Sequence, residues 1–195
     1  TLSKNLRLSG DFTIEFWANL DSEISNSDQP MGNGSNQNIN FYQSKARLYF
    51  NEKDYIISNF VTPPNEWHHY SFVREGNALK IYIDGVLDKT VTTTWSADFT
   101  VSMLGTTLRE TGYLQGQLDE IRAWNIARSS NDILEFHDKS IEPNSIDLKA
   151  YWRFNTSDGA QEIQDLTDNG YTANLGSTDL TEPSELYLVT AATLP

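Results

Sequence analysis

Hydrophobic and polar positions alternate with period two along much of this chain, the spacing of a strand with one buried face. In FTIEFWANL, Phe12, Ile14, Phe16, Ala18 and Leu20 share one side, and Thr13, Glu15, Trp17 and Asn19 share the other. LKIYIDG sets Leu79, Ile81 and Ile83 against Lys80, Tyr82 and Asp84. Asp84-Gly85 is a two-residue hairpin signal, because both turn positions favour positive φ. Gly76-Asn77 reads as a second hairpin. EWHHYSFVREGNALKIYIDGVLDKTV therefore predicts three consecutive antiparallel strands. FYQSKARLYF, DYIISNF and LKAYWRF predict further strands. By contrast, residues 21–40, DSEISNSDQPMGNGSNQNIN, are almost all polar and rich in turn formers, and predict a long loop. One helix is expected near residues 130–137. SSNDILEFHD offers Ser129 or Ser130 as N-cap, and Asp132 in the first turn suits the helix dipole.

Many short strands, one short helix and closely spaced turns predict an all-β fold, an antiparallel two-sheet β-sandwich or jelly roll. The 195 residues fit one domain, expected over 1–180, with 181–195 as a last strand or a tether to another module. No repeat of 20–50 residues is visible, and no apolar run approaches the roughly 18–20 residues a membrane helix needs.

Charge narrows the partners. Lys plus Arg number 14 against 27 Asp plus Glu, a net charge of −13. A field of that sign repels phosphate backbones, so nucleic acid is not an expected partner. It suits a hard cation such as Ca²⁺, which takes oxygen ligands. Cysteine is absent, which removes disulfides, thiolate catalysis and Cys-type metal sites. The chain begins with Thr1 and shows no signal-peptide pattern, and reads as a mature protein or an excised module.

Five pieces occur in a telling order: FTIEFW, WHHYSFVREGNALKIYIDG, GQLDEIRAWNIARS, LKAYWRFNTSDG and DLTDNG. Together, across roughly residues 6 to 178, they resemble the laminin-G-like jelly-roll modules of the concanavalin A-like superfamily, related to pentraxins. The resemblance implies a secreted or surface-attached, commonly bacterial, module appended to glycan-degrading enzymes, glycan-binding proteins or adhesins. It also implies that calcium is often bound. The expected partners are a glycan or polysaccharide and other domains of a larger polypeptide, without membrane insertion.

The acidic pair Asp119–Glu120 lies inside the apolar run of GQLDEIRAW, and three readings compete for it. Retaining β-glucanases of the same superfamily carry Glu-x-Asp-x-Glu on one strand, so that three carboxylates face one cleft. Here the aligned positions are Gln117, Asp119 and Ile121, and strict alternation turns Glu120 to the opposite face. A hydrolase is therefore disfavoured, and no nucleophile-elbow motif accompanies His68, His69 or His137. The second reading is a structural calcium ion on Asp119 with Asp165, Asp168, Asn169 and the Gly170 carbonyl. In the resembled family this late loop lies near the Asp-Glu strand. The third is a purely structural pair, for instance with Arg122 or Arg153.

A sugar site needs flat aromatic faces and hydrogen-bonding side chains. Trp67, Trp124 and Trp152 sit in strand motifs and are expected in the core. Trp17 is expected to pack on the second face of its sheet or under a loop. Tyr42, Tyr49, Tyr55, Trp95 and Tyr113 lie outside the shared motifs and are the carbohydrate-stacking candidates. The expected function is a non-catalytic, lectin-like module, with a protein-interaction or adhesion module as the alternative.

Overall fold

The computed structural model describes residues 1–21, 28–33, 37–50, 53–106, 113–155 and 161–175. The strands are β1 (Leu6–Leu8), β2 (Phe12–Leu20), β3 (Asp28–Asn33), β4 (Gln37–Tyr42), β5 (Lys45–Phe50), β6 (Lys53–Ile57), β7 (Trp67–Glu75), β8 (Ala78–Ile83) and β9 (Val86–Thr92). They continue with β10 (Phe99–Val101), β11 (Met103–Leu104), β12 (Gly116–Trp124), β13 (Leu148–Trp152), β14 (Glu162–Ile163) and β15 (Ala173–Asn174). The helix α1 spans Ser130–Phe136. One sheet has six strands in the order β13-β12-β2-β7-β8-β9, and the other five in the order β11-β3-β4-β5-β6. Their ladders are antiparallel, as a two-sheet β-sandwich requires. The proposed tail, 181–195, lies outside the described residues, as do 176–180.

The main core fills the space between the sheets. Phe12, Ile14, Phe16, Ala18 and Leu20 enter it from β2, and Ile39, Phe41, Ala46, Leu48 and Phe50 from β4 and β5. Phe41 meets Tyr70 of β7 edge to face at 5.2 Å between ring centroids, a direct link between the layers. The hairpins form where predicted. Asp84 and Gly85 take φ of +49° and +79°, as a tight β8–β9 turn demands.

The polar stretch 21–40 is where the expectation of a loop fails. It contains β3 and most of β4. Met31, Ile39 and Phe41 are the inward residues; the positions between them are Gly32, Asn38 and Asn40. A strand made of turn-forming and polar residues, with Met31 as its one residue in the main core, mimics a loop in composition.

The six-stranded sheet is covered on its outer side too, so β2 is buried along nearly its whole length. The cover is α1 and the chain after it. Ser129 caps the helix, its hydroxyl accepting from the Asp132 N–H at 3.1 Å. Seven residues are too few for a self-supporting helix in water. Ile133, fully buried against Val73 and Tyr82, anchors it with about 1.5–3 kcal/mol of apolar burial. Trp124, Leu148 and Tyr151 form a second small cluster beside it. Of the three tryptophans expected in the core, only Trp152 is in the main core; Trp124 belongs to this outer cluster, and Trp67 is half-buried.

Candidate functional site

The two sheets differ in what their outer faces can offer. On the six-stranded sheet, Trp17 is buried, and its indole N–H donates to the His137 carbonyl at 2.9 Å. Arg128 donates to Glu15 at 2.7 Å, both side chains being buried. His69 is fully buried, with its Nε2 3.6 Å from Glu15. Burial, reinforced by Arg122, His137 and Arg128, holds its imidazole well below the usual histidine range. Glu15 and His69 are both fully buried in the layer between the sheet and the cover that holds α1.

The acidic pair sits at a β-bulge. The β12–β2 register runs Asp119↔Trp17 and then Arg122↔Glu15, so two residues of β12 oppose one of β2. Glu120 takes φ +50°, a left-handed conformation that costs a non-glycine residue roughly 1–2 kcal/mol. Leu118 and Ile121 both enter the core although they are three apart. Strict alternation, the premise for separating the two carboxylates, is therefore interrupted between them. Glu120 instead shares a side with Arg122, whose Nη2 donates to Oε2 at 2.8 Å. Arg153 Nε stands 2.6 Å from Oε1, and the Tyr151 hydroxyl donates to Oε2. Burial and this bond push the Tyr151 phenol up to about 12, so it stays a donor at neutral pH. Asp119 Oδ1 accepts from the N–H groups of Glu120 (2.7 Å) and Phe154 (3.3 Å). Burial raises the Asp119 carboxyl above its ordinary range, against the pull of those two bonds. Both acids are about 1% exposed. As placed, they hold strands together and do not face a common cleft.

The calcium ligand set does not assemble. Asp165 Oδ1 accepts from the N–H groups of Tyr151 and Thr167, both at 3.0 Å, and Oδ2 from that of Tyr171 at 2.9 Å. The Thr167 hydroxyl lies 2.9 Å from both oxygens. Asn169 donates its amide to the Lys149 carbonyl at 3.1 Å, and the Gly170 carbonyl accepts from Ser3 at 3.2 Å. Asp168 is exposed, and Asp119 shares no hydrogen-bond partner with Asp165. A calcium site needs about six to eight oxygens with free lone pairs, whereas Asp165 is ringed by N–H and O–H donors. Among the described residues, no three His, Asp or Glu side chains gather as a metal-binding group. The five residues expected to hold the ion, as placed, do not fit it. Chelation with EDTA is therefore expected to leave the melting temperature unchanged. A fall would reveal a bound cation, because a ligand held only by the folded chain stabilises it by mass action.

The outer face of the five-stranded sheet has a different character. Tyr42 and Tyr49, half-buried on β4 and β5, flank Arg47, whose guanidinium carbon lies 4.5 and 4.9 Å from their ring centroids. Arg47 Nε donates to Asn40 Oδ1 at 2.8 Å, and its Nη1 to Asp54 Oδ1 at 2.8 Å. Asn38 pairs across the ladders with Gly32 on one side and Tyr49 on the other, and Tyr49 with Asp54. A Cβ on Gly32 would stand 2.7 Å from the Asn38 Cβ, so only glycine leaves room there. Asn38 is buried, and its Oδ1 has no hydrogen-bond partner. One sheet face thus collects two aromatic rings, two amides and an ion pair, the groups that hold sugar rings and hydroxyls.

The other aromatic candidates lie elsewhere. Trp95 is in the core, against Phe12, Phe50 and Phe99, with Arg74 over its ring. Tyr55 packs on Phe50 and Trp95. Neither joins Tyr42 and Tyr49. Tyr113 is 58% exposed and bridges to Gln29, beyond the β3 side of the five-stranded sheet. Asn38, Asn40, Arg47 and Asp54 were not singled out from sequence. For the first three the signal was the alternation of QNINFY and KARLYF, which sets each in step with Tyr42 or Tyr49; Asp54 comes opposite Tyr49 only through the β5–β6 register. A polar depression near Pro143, Asn144, Asp168 and Asn169 has no aromatic ring in its lining.

The family model for the concanavalin A-like lectin/glucanases superfamily, laminin G type, matches residues 1–134. No curated protein matches the sequence. Among solved structures, a candidate carbohydrate-binding protein from Bacteroides ovatus superposes with a TM-score of 0.72 at 16% identity. The match covers 90% of this chain but only 57% of that one. Domain 4 of AbnA, an extracellular arabinanase of Geobacillus stearothermophilus, in complex with arabinotriose, gives a TM-score of 0.53 at 19% identity, covering 67% and 68%. The CBM40 of the Ruminococcus gnavus IT-sialidase, bound to α2,3-sialyllactose, gives 0.51 at 15% identity, covering 67% and 84%.

Proposed function

Because the chain belongs to the concanavalin A-like lectin/glucanase superfamily, we propose that it is a non-catalytic carbohydrate-binding module acting through the outer face of its five-stranded sheet. The observation that carries this reading is the placement of Tyr42, Arg47, Tyr49, Asn38, Asn40 and Asp54 on that one face. Among the described residues, the six-stranded sheet has no comparable face, since α1 and the following chain cover it. Two fold relatives that hold oligosaccharides, arabinotriose in one and α2,3-sialyllactose in the other, support a glycan as the ligand class. A module of this kind works outside the cell or on its surface, within a larger polypeptide. Among the described residues, no helix is long and apolar enough to cross a membrane.

Affinity electrophoresis against a polysaccharide panel tests the reading. At least one polysaccharide is expected to retard the wild-type chain saturably. Tyr49→Ala and Tyr42→Ala should each weaken that retention about tenfold, the loss of about 1.4 kcal/mol expected for an aromatic anchor. No retention by any member, or tyrosine variants that bind like wild type, would defeat it.

A second reading, a protein-interaction module, draws on Val86, Leu87 and Leu134. They are 63%, 51% and 52% exposed where the β8–β9 turn meets α1. Apolar side chains of that size clustered at a surface favour a protein contact.

A further inference from the structure

The glycan-binding reading leaves open what charge the ligand carries, and the ion pair on the proposed face bears on this. We propose that Asp54 is a specificity-determining residue that restricts the face to neutral sugars by occupying Arg47. The inference rests on the glycan-binding reading and goes further than it.

An exposed arginine between two aromatic rings is ordinarily a carboxylate receptor, because its planar fork matches two oxygens at once. Such a grip uses either Nε with Nη2 or Nη1 with Nη2. Here Nε donates to Asn40 and Nη1 to Asp54, both at 2.8 Å. Each grip therefore requires a nitrogen that is already engaged. The rings of Tyr42 and Tyr49 lie close to the guanidinium, and its side chain is only 12% exposed. Lys45 is the other cation on the outward step of β5, opposite Tyr42. Lys53 lies over Tyr55, near the core-facing side.

What the face offers a ligand is acceptor capacity with negative charge. The Asp54 side chain is 40% exposed, and the carboxylate lone pairs that Arg47 does not use accept from O–H donors and repel a sugar carboxylate. At longer range the net charge of −13 acts in the same direction. The ligand that fits is a neutral glycan whose hydroxyls donate to the exposed Asp54 carboxylate.

The test compares wild type and Asp54→Asn by affinity electrophoresis at low salt. The probes are neutral polysaccharides (arabinan, galactan, xylan, β-glucan) and polyuronates (polygalacturonate, alginate). Wild type is expected to be retained by a neutral polysaccharide and not by polyuronates. Asp54→Asn, which removes the charge that neutralises Arg47 while keeping the shape of the side chain, should lose about tenfold in neutral binding and gain polyuronate retention that salt abolishes. A merely structural role for Asp54 would not produce that gain. Wild-type retention by polyuronates equal to or above that by neutral polymers overturns this inference and leaves the glycan reading standing. An unchanged preference in Asp54→Asn does the same. Retention by no polysaccharide of either class overturns both.

Discussion

Replacing Glu120 with alanine is expected to lower the unfolding free energy by about 3–5 kcal/mol, the cost of breaking a buried ion pair from one side. Glu120 accepts from Arg122 and Tyr151 and forms an ion pair with Arg153. Arg122 is itself fully buried, and without Glu120 its charge would be left with only the carbonyls of Phe136 and Lys139, at 2.9 and 2.5 Å. Those carbonyls belong to the end of α1 and the turn after it. The loss should therefore spread from the bulge to the cover over the six-stranded sheet. Glu120→Gln keeps the shape and one acceptor oxygen and should cost less. Urea unfolding checks this, with a lower midpoint at unchanged slope as the signature. A change under about 1 kcal/mol, within the range of surface ion pairs, would show that the network contributes little.

The second large effect is expected at Asp165. Asp165→Ala removes the acceptor for three backbone N–H groups, those of Tyr151, Thr167 and Tyr171. Each buried donor left unpaired costs about 1–3 kcal/mol, so the three together cost about 3 kcal/mol or more. For a chain of this size that lowers the melting temperature by roughly 6–12 °C. Asp165 pins the 165–171 turn to the edge of β13, where the Leu166 N–H also donates to the Tyr151 carbonyl at 2.8 Å. The Trp152 indole N–H donates to the Tyr171 carbonyl at 2.7 Å, so losing the turn would also disturb a core tryptophan. Thermal melts of Asp165→Ala and Asp165→Asn, with and without calcium, separate this role from a metal-ligand role. If calcium raises the wild-type melting temperature and not that of the variants, the hydrogen-bond account is wrong.

How far the sequence could be read depended on which side of each strand carried the information. Where apolar residues alternate strongly, as in FTIEFW and LKIYI, strand, face and turn were all legible. So was α1, whose cap and first-turn acid sit three residues apart. β3 was not legible, because DQPMGN combines polar residues with the turn formers Pro30 and Gly32, and such a composition resembles a loop. The candidate site was obscured for the same reason. Tyr42 and Tyr49 could be picked out as aromatics, but Asn38 and Asn40 lay in or beside the expected loop. Trp95 and Tyr55 looked like equal candidates until packing placed them against Phe50.

The sequence by itself determined a two-layer β-sandwich with one short helix, because period-two alternation and turn chemistry are local properties that act before any long-range contact. Tertiary structure alone decided the fate of the polar residues. A bulge inserts a single residue and shifts every later side chain, so which carboxylates meet depends on register between strands that are distant in the chain. Likewise, one sheet face is sealed by a helix more than one hundred residues from β2, while the other presents its tyrosines. No local pattern encodes which surface another segment will cover.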